Sequence, residues 1–224
     1  MSNLELNTLK TSELLVDKNY APQAERLIIY YELYKLVRNL NGSILKCGIN
    51  NDESFGYFSF FKKNNQYNPN QPLVVFEKST SLFESTLVDK ETRIAVKSAG
   101  MHALTQQNLL QRSQAEGIEF VTGNLIDALP NYIINNPELK IALLVIDLDN
   151  YEHTLSTLQY LYPRLVSNGI IIINNYYKKE AENQAVKDYF LNENIAIRHF
   201  SHQSNIYYII KDRCFIYNSA LIVL

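Results

Sequence analysis

Apolar and polar positions fall into two alternating patterns along the chain. Leu27, Tyr30, Tyr31, Tyr34, Val37 and Leu40 recur at helical spacing, so a helix is predicted over 23–40, stopped by Asn41-Gly42. Short apolar runs follow at 44–49, 73–76, 118–121, 141–146 and 170–173. The runs IALLVI and IIII are apolar at every position rather than every second one. Strands buried on both faces of a parallel sheet read this way. Between the runs lie helix-patterned segments at 53–63, 102–116, 125–135 and 151–165, the last with Leu155, Leu158, Leu161 and Leu165 on one face. A further helix is expected over 180–194. The runs 195–200 and 206–210 then flank a polar SHQSN turn and are expected to pair as a hairpin.

This alternation predicts an α/β fold. The expected architecture is a doubly wound, mostly parallel sheet with helices on both faces and a C-terminal antiparallel hairpin. Residues 1–40 read as an N-terminal arm and helix, 41–211 as the main domain, and 212–224 as an apolar tail. The stretch KKNNQYNPNQP at 62–72 reads as a long polar loop.

Composition narrows the function classes. The chain has 224 residues and a formal net charge of −2. No basic excess marks it for nucleic acid or anionic lipid. No apolar run is long enough for a bilayer span, and the N-terminal stretch lacks a signal-peptide pattern, so a cytoplasmic setting is expected. Cys47 and Cys214 are far apart and imply no disulfide framework. Only 7 glycines are present, where the usual share would give about 16.

In an open parallel sheet, ligands bind beyond the carboxyl ends of the strands. Those ends carry Gly48, Glu77, Gly123-Asn124, Asp147-Leu148-Asp149-Asn150 and Asn174-Asn175. Glu77 can accept from both hydroxyls of a ribose, or it can be a solvated carboxylate. Asp147 can serve as a general base or cation ligand. Asp149 is favoured as the cap of the helix that follows, with Asn150 as the other candidate. Asn174 and Asn175 can hydrogen-bond a ligand or close a turn. His153 stands one turn into the helix after 141–146, near the expected cleft. His102, His199 and His202 have no metal-ligand spacing, and Cys47 reads as core. No G-x-S-x-G, P-loop or G-x-G-x-x-G motif is present.

The stretch IALLVIDLDNYEHTLSTLQYLYPRLVSNGIIIINNY at 141–176 resembles the macrocin O-methyltransferase family. That family comprises class I S-adenosylmethionine-dependent enzymes that methylate sugar hydroxyls of natural products. It is similar in its apolar strand, Asp-x-Asp-Leu-Tyr-x-x-Thr, Leu-Tyr-Pro-Arg-Leu and a second apolar strand ending Asp-Asp-Tyr. GIEFVTGNLIDALP at 117–130 and AVKDYF at 185–190 resemble two further family blocks, and the likeness runs from about 22 to 211.

With the strand-end reading, the resemblance implies S-adenosylmethionine held by Gly48, Glu77, Gly123, Asn124 and Asp147, with Asp147 as the catalytic base, while His153 is a catalytic candidate by its position alone. The resemblance also implies magnesium on Asp147, Asn174 and Asn175. The departures fall on these positions. Lys46 replaces an acid, Asp52-Glu53 replace a glycine pair, and Asn174-Asn175 replace an Asp-Asp pair. With two of three ligand charges absent, tight magnesium binding is not expected.

Two readings stay open. One is an O-methyltransferase acting on a hydroxyl of a small molecule, a sugar or natural-product intermediate. The other is a catalytically inactive homologue, a pseudoenzyme that binds a ligand or partner. A third, another enzyme on the same fold with a changed cofactor, has no specific support. The apolar tail at 213–224 needs covering. A homodimer sharing it with helix 23–40 is expected, and a monomer with an extra edge strand carries nearly equal weight.

Overall fold

The computed structural model describes residues 21–48, 54–77, 117–174, 176, 180–193, 195–200 and 205–211. The expected arm at 1–20, helix at 102–116 and tail at 212–224 lie outside the described residues, as do Asp52, Glu53, His102, Asn175 and His202.

Helix α1 spans Ala21–Val37, strand β1 Ser43–Cys47, helix α2 Ser54–Lys63 and strand β2 Leu73–Glu77. Strand β3 spans Ile118–Thr122, helix α3 Leu125–Asn135, strand β4 Ile141–Ile146 and helix α4 Tyr151–Leu161. A 3-10 turn at Tyr162–Arg164 leads into β5 (Leu165–Asn174), followed by α5 (Glu180–Tyr189), β6 (Arg198–His199) and β7 (Ile206–Ile210).

The described strands form one seven-stranded sheet in the order β3-β2-β1-β4-β5-β7-β6. β3, β2, β1, β4 and β5 run parallel. β7 is antiparallel to β5, and β6 pairs with β7 at the edge. This is the doubly wound sheet with a terminal hairpin that the alternation predicts. The chain steps outward from β1 through β2 to β3, then returns to β4 on the other side of β1. The topological switch point therefore lies at the carboxyl ends of β1 and β4.

Strand alternation sends side chains into two separate cores. One face buries Leu45, Cys47, Leu144, Ile146, Ile171 and Ile173 against α3, α4 and α5. The other buries Ile44, Val75, Leu143, Val145, Ile170 and Ile172 against α1 and α2. All five residues of β1 and all six of β4 are buried, the physical reason for the unbroken apolar run of β4.

Several local expectations are corrected. In α1 the buried face is Ile29, Tyr30, Leu33, Tyr34 and Val37, whereas Leu27 and Tyr31 are exposed. Tyr31 instead meets Phe61 of α2 at a ring distance of 5.3 Å, so the helix turns its aromatic flank to a neighbour rather than to the sheet. The segment 195–200 contributes only a two-residue strand. The polar loop after α2 is anchored at two points. Buried Gln71 donates to the Gly42 carbonyl (2.9 Å), and Asn65 donates to the Arg38 carbonyl (3.2 Å).

Candidate active site at the carboxyl edge of the sheet

The end of β1 is stitched to both neighbours. The Gly48 amide donates to the Phe76 carbonyl (3.0 Å), and the Asp147 amide donates to the Cys47 carbonyl (2.9 Å). Gly48 has φ +85°, and a Cβ there would lie 2.2 Å from the Asp147 carbonyl oxygen. The glycine is thus demanded by the closeness of β1 and β4. Cys47 pairs with Phe76, and Glu77 pairs with Thr122, so Gly48, Glu77 and Gly123 end three adjacent strands. Gly123 has φ +138°, and no heavy atom of the described residues lies within 4 Å of where its Cβ would stand. The side chain of Asn124 caps α3, accepting from the Ile126 amide (3.2 Å).

The second group lies on the α1–α2 face. Lys46 follows Ile44 by two positions, Asp147 follows Val145, and Asn174 follows Ile172, so all three share this face. Lys46 is fully buried and Asp147 is 2% exposed, with Lys46 Nζ at 4.0 Å from Asp147 Oδ2. Asn174, also buried, accepts a hydrogen bond at its Oδ1 from the Tyr30 hydroxyl (2.8 Å). Arg26 donates in turn to that hydroxyl (3.3 Å). Helix α1 therefore reaches over the ends of β4 and β5 with a tyrosine and an arginine.

The helix cap after β4 is Asn150, correcting the preference for Asp149. Asn150 has extended backbone (φ −123°, ψ 133°), and its side chain accepts from the His153 amide (3.1 Å). Asp149 sits one residue too early to reach the first turn and is exposed. His153 stands in the first turn of α4, which buries Leu158 and Leu161 on the face opposite Asp147. The structure does not bring these two side chains onto one face. Cys47 is buried against α4, and burial pushes its thiol up to about 12, so it is core and not a nucleophile.

Sequence reasoning singled out Asp147 and Asn174 but not what holds them. Lys46 carried a legible signal, because a charge inside a wholly buried strand needs a partner. Tyr30 and Arg26 carried none, being spaced from Asp147 and Asn174 by more than a hundred residues.

Residues 94–202 match the model of the macrocin-O-methyltransferase family, TylF. Over that stretch the chain is similar to this family. A comparison with curated proteins gives no match. Among solved structures, the apo structure of CalS11, a TDP-rhamnose 3'-O-methyltransferase of calicheamicin biosynthesis, is similar at TM-score 0.66 and 21% identity, covering 94% of this chain and 86% of that one. The O-methyltransferase NovP is similar at TM-score 0.57 and 17% identity, covering 82% and 79%. An O-methyltransferase from Bacillus cereus, in complex with SAH, is similar at TM-score 0.56 and 13% identity, covering 92% and 89%. These likenesses establish the fold. No helix among the described residues is long and apolar enough to cross a membrane.

Gly48, Glu77 and Gly123 are the described residues that would hold that family's cofactor. Glu77 ends a strand that lies between the strands preceding Gly48 and Gly123. The described residues do not fit a divalent cation. Asp147 already faces an ammonium, Asn174 is a neutral amide whose oxygen accepts from Tyr30, and among the described residues no cluster of three His, Cys, Asp or Glu side chains could hold a metal.

Proposed function

We propose that this protein binds S-adenosylmethionine and methylates a hydroxyl of a small molecule, a sugar or a natural-product intermediate. The observation that carries this reading is the adjacency of Gly48, Glu77 and Gly123 beside the switch point, in a chain similar to this family. Glu77 accepts from the ribose hydroxyls. Gly48 borders the methionine end, and Gly123 with Asn124 borders the remainder. The cofactor supplies an electrophilic methyl group. Asp147 orients the acceptor hydroxyl and takes its proton as the new carbon–oxygen bond forms. Lys46 fixes the carboxylate from below, and Tyr30 fixes the neighbouring Asn174. His153 has no role in this scheme.

A second reading is favoured by one specific observation. Both polar pairs are buried under α1 and are satisfied within the protein, as in a homologue that binds a ligand or partner without methylating.

Calorimetric titration of the full chain with S-adenosylmethionine and S-adenosylhomocysteine tests the proposal. Saturable binding below millimolar concentration is expected, followed by release of S-adenosylhomocysteine with glycosylated acceptors. No binding at millimolar cofactor overturns it. Binding without turnover across the acceptors moves the assignment to the second reading.

A further inference from the structure

We propose that the Lys46 ammonium is the resident cation of the strand-end site and excludes divalent metals from it. The site gathers oxygen groups at one place: the Asp147 carboxylate, the Asn174 carbonyl oxygen and the Tyr30 hydroxyl, all on the α1–α2 face. Asp147 and Asn174 follow directly on the paired residues Ile146 and Ile173, so they stand side by side on neighbouring strands. Such a set attracts positive charge, and β1 supplies it covalently. Lys46 enters from the adjacent strand, is fully buried, and ends 4.0 Å from Asp147.

A divalent ion has to displace that ammonium or share the pocket with it. Displacement strands a buried positive charge, and sharing sets like charges a few ångströms apart in a weakly screened interior. Among the described residues only one carboxylate, Asp147, offsets either cost, and neutral amide oxygens hold a hard cation weakly. Lys46 also differs from a metal in what it can do. It presents a fixed charge from one direction and exchanges no ligands, so it positions Asp147 without needing any cation from solution. This inference concerns cation occupancy alone and stands apart from whether methyl transfer occurs.

Titration of Mn²⁺ against the full chain, read by the loss of the free-ion EPR signal and by thermal unfolding with and without the metal, tests it. The wild type is expected to show no saturable binding at millimolar Mn²⁺ and no shift in Tm. Lys46→Glu, which removes the ammonium and adds a carboxylate beside Asp147, is expected to bind at least about tenfold more tightly than wild type, with a Tm raised by the metal. Saturable binding by wild type that is lost in Asp147→Asn overturns the proposal, as does a folded Lys46→Glu variant that binds no better than wild type. Should Lys46→Glu not fold, Asn174→Asp decides. This variant keeps the lysine, so it is expected to remain metal-free at millimolar Mn²⁺, and saturable submillimolar binding overturns the proposal.

Discussion

Lys46 and Asp147 face one another across the β1–β4 junction, 4.0 Å apart and both almost wholly out of water. Charges in this position stabilise a fold only as a pair. Lys46→Met leaves a buried carboxylate without its counter-charge and is expected to lower unfolding free energy by roughly 3–5 kcal/mol. Lys46→Met with Asp147→Leu removes both charges and is expected to recover most of that loss. Urea denaturation of both variants checks the pair. Equal losses in the single and double variants would show that the two charges are not coupled.

Tyr30→Phe removes the donor to Asn174 and the acceptor for Arg26 while keeping the ring packed on Phe58 at 5.3 Å. A loss of about 1–3 kcal/mol is expected, because a buried polar contact is broken without a cavity. The cofactor affinity of this variant should equal that of wild type, since Tyr30 stands on the β5 side of the switch point. Chemical denaturation and a cofactor titration read the two effects separately.

Glu77→Ala is expected to weaken S-adenosylmethionine binding by about 10–150-fold, corresponding to one lost charge-assisted contact of ~1.5–3 kcal/mol. Equal affinities in variant and wild type would remove Glu77 from the ribose.

Gly48→Ala and Gly123→Ala should separate sharply. At Gly48 the positive φ combines with a Cβ contact of 2.2 Å to backbone, so the junction of β1 and β4 must open. A loss above about 3 kcal/mol or failure to fold is expected. At Gly123 only the φ of +138° is at stake among the described residues, none of which comes within 4 Å of the added Cβ. That change should cost about 1–3 kcal/mol. Thermal unfolding ranks the two, and only Gly123→Ala is informative about cofactor binding.

The buried thiol of Cys47 gives a pH signature. Burial raises it from the ordinary 9.0 to about 12, so the folded state holds a proton that the unfolded state releases earlier. Its contribution is fully present below pH 9.0 and is lost as pH rises towards about 12. In a Cys214→Ser background, a thiol reagent at mildly alkaline pH should leave Cys47 untouched until denaturant is added. Rapid labelling of the native protein would contradict its burial.

Much of this fold was legible because burial on both sides of a parallel strand leaves little room for polar residues other than paired ones such as Lys46. The strands at 141–146 and 206–210 and the helix at 125–135 appear with the bounds that their patterns predict. Helix α1 was legible as a helix but not in its orientation. Its tyrosines suit both the sheet and the flank of α2, and composition cannot tell those surfaces apart. Along that flank, Ile28, Tyr31, Phe60 and Tyr67 border a groove of about 650 Å³. The candidate site was half legible. Strand ends point to Asp147 and Asn174 by topology alone, whereas their partners depend on how α1 lies over the sheet. The cap after β4 was misread because Asp and Asn are near-equal caps, and a one-residue difference in where the helix starts decides between them.

The hydrogen bond from Tyr30 to Asn174 spans 144 positions of the chain. During synthesis, α1 emerges long before the strand that receives it. At ribosomal rates the wait is on the order of ten seconds. Throughout that interval its apolar face, Ile29, Leu33 and Val37, lacks β5, the last parallel strand of the surface it covers in the finished molecule. The nascent chain thus passes through a period in which its first described helix needs shielding, and a chaperone-depleted translation system should reveal this as aggregation of chains released before β5 is complete.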